Sequence, residues 1–214
     1  MICGVDEAGR GPVMGPLVVC GICIEDDQLL RNMGVRDSKK LTRSRRESLY
    51  ENLGGIIDGI EIVEVSAEEI DLLREEMTMN ELEARIFASV ISKLRPSVAY
   101  VDSADVDEER FGKEIQSQIG LETSIISKHR ADETYPVVST ASIFAKIRRD
   151  RSIREIEMDI GEPIGSGYPS DPNTIRFLES WLQRYDALPP HTRRSWDTCS
   201  RLIRMKSLRR IDEF

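Results

Sequence analysis

The chain has 214 residues, 40% hydrophobic and 32% charged, with a formal net charge of −8. That profile fits a globular protein of one large domain, or of a domain plus a small appendage, and excludes a disordered or fibrous chain. The longest apolar run, residues 13–24, contains Gly and Pro and is too short to span a bilayer; with no export signal in view, the four cysteines are expected to be reduced thiols of a cytoplasmic protein with no membrane contact.

Ile2, Cys3 and Val5 predict a buried first strand. At its end Asp6 and Glu7 stand side by side, followed by Gly9-Arg10-Gly11. Carboxylates at the carboxyl end of a buried strand face the crevice where open α/β sheets bind ligands. Two adjacent carboxylates repel unless one is protonated or a cation lies between them. Neighbouring strand residues point to opposite faces, so the pair shares a site only if the strand ends or bulges there, which Ala8-Gly9 would allow. The competing reading is an exposed turn in which the glycines supply positive φ.

Leu17–Ile24 predicts a second strand after a Gly/Pro-rich turn, hence an antiparallel start. Cys20 and Cys23 are three apart within it, on opposite faces and without a second pair, so they do not read as a metal or redox site. Two histidines, His129 and His191, fit neither a zinc site nor a Ser-His nucleophile well. Val35–Leu41 is a basic loop leading into a helix over Thr42–Asn52, and Ile60–Val65 predicts a third strand. Ser66 with Glu69, and Thr78 with Glu81, form capping boxes that open two helices. Ser97–Asp102 repeats the opening pattern, a buried strand ending in an aspartate. A helix over Asp107–Ile119, a strand over Thr123–Ser127 and the basic Lys128-His129-Arg130 follow. Asp132 stands just before a long helix, Val137–Ile160, ended by Gly161. Asp171-Pro172 caps the first of two amphipathic helices, whose stripes are Phe177, Leu178, Trp181, Leu182 and Tyr185, then Trp196, Cys199, Leu202 and Ile203. Alternating strands and helices over the first ~160 residues argue an α/β fold.

The charges are segregated. Asp58–Glu83 holds ten acids and one base, Leu29–Arg46 seven bases against Asp37, and Arg176–Arg210 nine bases against three acids. An acidic protein with a polyanion-binding face needs such segregation, although solvated helix faces also produce it.

Asp6 with Glu7, Asp102 and Asp132 thus recur at strand ends or helix entries. A lone aspartate there is commonly a turn former or a helix cap; recurrence in one setting argues for a shared role. All-oxygen donors suit a hard cation such as Mg²⁺ or Mn²⁺, and two such ions ~3.5–4 Å apart clamp an in-line attack on a phosphodiester. With the basic segments, this reads as a metal-dependent nuclease. The alternatives are a catalytically inert nucleic-acid-binding protein and a metal-dependent phosphatase.

DEAGRGP, DSKKL, YVDSAD, ADETYPVVSTASIFAK and GSGYPSDP, in that order from Ile2 to about Asp171, resemble the type 2 ribonuclease H (ribonuclease HII) family, archaeal branch. The resemblance implies a ribonuclease H-like three-layer α/β fold: a mixed five-stranded sheet over residues 1–164, a helical substrate-binding extension over 165–205 and a tail over 206–214. It implies cleavage of the RNA strand of RNA–DNA hybrids, and cleavage 5′ of ribonucleotides embedded in duplex DNA, leaving 3′-hydroxyl and 5′-phosphate ends. Roles in primer removal and ribonucleotide excision, by a monomer, are implied with it.

By motif, Asp6, Glu7, Asp102 and Asp132 match the acidic ligands of two Mg²⁺ or Mn²⁺ ions. Gly9, Arg10 and Gly11 match the loop that reads the 2′-hydroxyl, the group that distinguishes RNA from DNA, largely through main-chain atoms. Tyr168 matches an aromatic that stacks beneath a sugar at the RNA–DNA junction; its other reading is a loop aromatic packed on the C-terminal helices. Lys39 and Lys40 match phosphate-contacting positions, and Ser139, near a helix start, is expected to donate to a phosphate. At the end of the chain, Ile211 and Phe214 resemble the short hydrophobic-aromatic tail that docks replication enzymes on the sliding clamp. The usual glutamine is replaced by Leu208 and one aromatic is missing. A frayed terminus is the competing reading.

Overall fold

The computed structural model describes residues 1–35, 42–120 and 122–212. By packing, the chain divides into two compact units. The first comprises residues 1–8, 18–64 and 77–148; the second comprises residues 9–17, 65–76 and 149–214. The division differs from the one expected at residues 164 and 165, because the loop after the first strand and an early helix pack with the C-terminal third of the chain.

The first unit is built on a five-stranded sheet in the order β3-β2-β1-β4-β5. Its strands are β1 (Ile2–Ala8), β2 (Leu17–Ile24), β3 (Gly59–Val65), β4 (Val98–Asp102) and β5 (Ser124–Lys128). β1 runs antiparallel to β2 and parallel to β4, and β4 is parallel to β5, so the sheet is mixed as expected. One face packs on α2 (Arg43–Leu53) and the start of α7 (Pro136–Ile160), burying Val18, Cys20 and Ile22 with Leu49, Leu53, Val138, Ala141 and Phe144. The other face meets α4 (Met79–Leu94): a side chain at Gly21 would collide with Val90 and Leu94. α5 (Glu108–Gln118) lies beside β5, where Gly112 comes close to Ser127. Alternating strand residues thus feed two apolar layers.

Local chemistry sets the element ends. Thr78 and Glu81 exchange capping bonds at the start of α4, and Ser66 and Glu69 do so at α3 (Ala67–Leu73), both as expected from spacing. Two short helices were not legible: α1 (Gln28–Asn32) and α6 (Ala131–Thr134), the latter entered through a left-handed Arg130.

The second unit buries Val13 and Met14 against Ile153, Ile156, Ile164, Phe177, Leu178, Leu182, Cys199 and Leu202. The helical partners are the C-terminal part of α7, α8 (Pro172–Tyr185, capped by Asp171) and α9 (Asp197–Asp212). α9 continues through residues 206–212, where the sequence had predicted a separate tail. Among the described residues no helix is long and apolar enough to cross a membrane.

Candidate active site

Each compact unit carries one set of the expected residues. In the first unit, β1 and β4 pair through Val5 and Val101, so the next residues, Asp6 and Asp102, come at the same strand end. Gly4 lets α7 lie directly on β1, since a Cβ there would stand 2.3 Å from the Val137 carbonyl carbon. Further along α7, Ser142 hydrogen-bonds the Asp6 carboxylate and accepts a 2.7 Å bond from Lys146 Nζ.

Asp6 is only 4% exposed. Burial pushes its carboxyl well above the usual carboxylate range, and the charge of Glu7 adds to the push. Ser142, Lys146 and the Glu7 N–H, 2.7 Å from Oδ1, offset part of it. Asp102 accepts a 2.7 Å bond from the Ala131 N–H, and the next residue, Asp132, is 3% exposed within α6. A fixed carboxylate oxygen at Asp102 is thereby tied to the segment that carries Asp132.

The strand does not end at Asp6-Glu7 as expected. The β1–β2 ladder runs unbroken through Ala8↔Val18, so the pleat directs Asp6 and Glu7 to opposite faces. Among the described residues no three His, Cys, Asp or Glu side chains stand together as a metal-holding group. What the four residues supply is an all-oxygen donor set, two members at one end of adjacent parallel strands and two deeply desolvated, a chemistry that fits a hard divalent cation and no soft one.

The second unit holds the loop that follows. Gly9 adopts φ +92°, and a Cβ there would fall 2.5 Å from the Pro16 carbonyl oxygen and 2.8 Å from Arg149, so only glycine fits. Val13 and Met14 donate to the Gly167 carbonyl, Gly15 donates to His191, and Met14 bridges Thr192. Arg193, 0% exposed, donates to the carbonyls of Gly9 (2.6 Å), Arg10 (2.8 Å) and Gly15 (3.0 Å). Trp196 Nε1 donates to Gly11 (3.3 Å). Burial, with the like charge of Arg149, pulls the Arg193 guanidinium down to about 9, still cationic at neutral pH.

Tyr168 is 38% exposed, with the Arg149 guanidinium 4.9 Å from its ring centre. Arg149 in turn donates to the Ser166 carbonyl at 2.8 Å. Tyr168 therefore offers a partly exposed ring, instead of packing wholly on the C-terminal helices.

Ser139 departs from expectation. It is completely buried, and its hydroxyl donates to the Val35 carbonyl, so it is a tether inside the first unit and presents no donor to a phosphate. Lys39, Lys40 and Phe214 lie outside the described residues, and Ile211 falls within α9.

Sequence reasoning missed Ser142, Lys146, Arg149, Arg193 and Trp196. The four-residue spacing of Ser142 and Lys146 on one helix face was a usable signal. Nothing local marked Arg193, one of nine bases in its region, and Trp196 had been read as part of an apolar stripe.

Residues 3–199 match the family model described as Ribonuclease HII. Ribonuclease HII of Thermococcus kodakarensis is 42% identical over 217 residues, covering 99% of this chain and 94% of that protein. Among solved structures, the ribonuclease H2 from Pyrococcus horikoshii OT3 is 43% identical with a TM-score of 0.88, covering 95% of this chain and 97% of its own. The structure of the PCNA:RNase HII complex from Archaeoglobus fulgidus matches with a TM-score of 0.88 at 42% identity, covering 94% and 96% respectively.

Proposed function

The chain belongs to the ribonuclease HII family, and on that premise we propose that this endonuclease cuts the RNA strand of RNA–DNA hybrids and also cuts 5′ of single ribonucleotides embedded in duplex DNA, leaving 3′-hydroxyl and 5′-phosphate ends. The observation that carries the reading is the placement of Asp6 and Asp102 at one end of paired parallel strands, with the Asp102 carboxylate bonded to the backbone beside Asp132. Asp6, Asp102 and Asp132 would hold Mg²⁺ or Mn²⁺, and Glu7, which the pleat directs to the other face, would reach the same ions only around the side of β1 where pairing with β4 stops at Val5↔Val101. Two such ions, when bound, would supply the charge that ionises the attacking water and neutralises the leaving oxyanion.

The chain's own residues do the rest. The Ala131 N–H fixes one oxygen of Asp102, and Ser142 orients Asp6. Lys146 adds a positive charge beside Asp6 that favours its ionised form. In the second unit, the main chain of Gly9, Arg10 and Gly11 reads the 2′-hydroxyl, and Tyr168 stacks against a sugar. Lys39 and Lys40 contact phosphates through charge, a term that weakens with salt.

The test is cleavage of three duplexes of one sequence: all-DNA, DNA with one ribonucleotide, and RNA–DNA hybrid, each with Mg²⁺ or EDTA. Metal-dependent cutting of the last two and not the first is expected, with product ends read by ligation. Cutting of all-DNA, or cutting in EDTA, refutes the reading.

For a partner we propose the sliding clamp, docked through Ile211 and Phe214; the archaeal relative solved with PCNA supports this choice. Deleting residues 211–214 should abolish clamp binding and leave cleavage of a free duplex intact. Unchanged clamp binding would refute it.

A further inference from the structure

Arg193 is fully buried, and all three hydrogen bonds of its guanidinium go to main-chain carbonyls of one loop: Gly9, Arg10 and Gly15. Trp196, whose ring lies 4.9 Å from that guanidinium, adds the carbonyl of Gly11. Three consecutive peptide oxygens are therefore held from one side. In a planar trans peptide the N–H points opposite to the C=O of the same unit. Holding the Gly9 carbonyl turns the Arg10 N–H away from Arg193, and holding the Arg10 carbonyl does the same for the Gly11 N–H. The third unit ends in Pro12, which has no N–H, so the two N–H groups turned away from Arg193 are those of Arg10 and Gly11.

The clamp is itself braced. Asp71 on α3 accepts from the N–H groups of Arg194 and Ser195 and from the Ser195 hydroxyl, and Glu68 accepts from the His191 N–H. The Arg193 N–H donates to the Val13 carbonyl, closing the segment onto the far end of the same loop. A buried cation bonded only to neutral carbonyls carries a desolvation cost that an apolar residue would not. Setting the direction of specific peptide groups is a task that a fork of five donors performs and an apolar side chain does not.

We propose that Arg193, assisted by Trp196, is the positioning residue for ribose selectivity: it fixes the peptide planes of Gly9-Arg10-Gly11 so that the N–H groups of Arg10 and Gly11 face the 2′-hydroxyl. This deepens the reading given above and rests on the assignment of that loop to the ribose. Arg193 touches no substrate and acts through the loop.

The experiment measures single-turnover cleavage of a duplex with one ribonucleotide, and of its all-DNA counterpart, by the full chain and by Arg193→Ala, Arg193→Lys and Trp196→Phe. Arg193→Ala should lose roughly 100-fold on the ribonucleotide substrate, the order expected for removing a buried charged donor group. Millimolar guanidinium should restore at least about 10-fold of that, which a general loss of folding would not allow. Arg193→Lys keeps the charge but not the fork, and should remain close to the alanine variant. Trp196→Phe, which keeps the ring and loses one bond, should fall roughly 3–10-fold, as for one neutral hydrogen bond. Circular dichroism reports folding; if Arg193→Ala does not fold, Arg193→Lys and Trp196→Phe decide. Wild-type rates in those two variants, or a folded Arg193→Ala that guanidinium does not rescue, overturn the proposal. A wild-type chain that cuts all-DNA equally well overturns the underlying reading instead, so the two failures are distinct.

Discussion

The acidic strand end around Asp6 and the Gly9–Gly11 loop are neighbours in the chain, yet they are built by opposite means. Asp6 is desolvated beside the charge of Glu7, and its ionisation is opposed by its surroundings. In the loop, Arg193 and Trp196 satisfy one peptide carbonyl after another. The first region stores unfavourable electrostatics that a bound cation would relieve; the second removes freedom so that a few donors have one direction. Chemistry and recognition thus place different demands on stability, and substitutions should separate them.

The largest expected effect comes from Asp102→Asn, which keeps shape but removes a charged oxygen donor. Cleavage should fall by roughly 10³-fold or more while duplex affinity, measured by fluorescence anisotropy, changes little. Near-normal turnover would remove Asp102 from the chemistry. Next in size is Tyr168→Ala on the recognition side. Loss of a stacking surface, ~1–3 kcal/mol for bases, should reduce cutting at a DNA–ribonucleotide junction more than within a long hybrid. Equal losses on both substrates would make Tyr168 a structural residue and blur the contrast.

Stability should respond in the opposite sense at Asp6. Its folded-state carboxyl titrates above the unfolded one, so its contribution is favourable below the unfolded value, about 4, and is lost as pH rises through the raised folded value. Asp6→Asn should therefore abolish metal-dependent cleavage, while in EDTA it should raise the melting temperature at neutral pH and flatten its pH dependence. An unchanged or lower melting temperature would refute the electrostatic account.

The smallest effect sharpens the comparison from within the first unit. Asp105 is a buried carboxylate too, but Arg110, the Asp107 N–H and Asn80 hold it down to about 2. Its stabilisation is present above the unfolded value and is lost as pH falls through the folded one. Asp105→Asn should raise the midpoint of acid unfolding slightly and leave cleavage unaffected, a modest change because the Arg110 side chain is 61% exposed. A large loss of activity would show that carboxylates of this unit cannot be sorted by their partners.

Much of this was legible locally. The capping boxes at Ser66 and Thr78, the Asp171-Pro172 start of α8 and the repeated strand-then-aspartate pattern depend on residues within one or two turns of each other, so sequence spacing alone specifies them. The acidic candidates and the glycines of the 9–11 loop were visible for the same reason. The continuation of β1 through Glu7 was not, because it depends on a partner strand whose register the local Ala8-Gly9 signal does not encode. Nor was Ser139 as a tether, since its acceptor lies at Val35, 104 residues away. Arg193 shows the limit most clearly. Its sequence neighbourhood says only that it is a base among bases. That it is buried, and bonded to Gly9 184 residues earlier, was decided by the packing of the C-terminal segment onto the loop. Short-range hydrogen bonds and periodicity are written in the order of residues, whereas contacts closed by long loops exist only once the whole chain has folded around them.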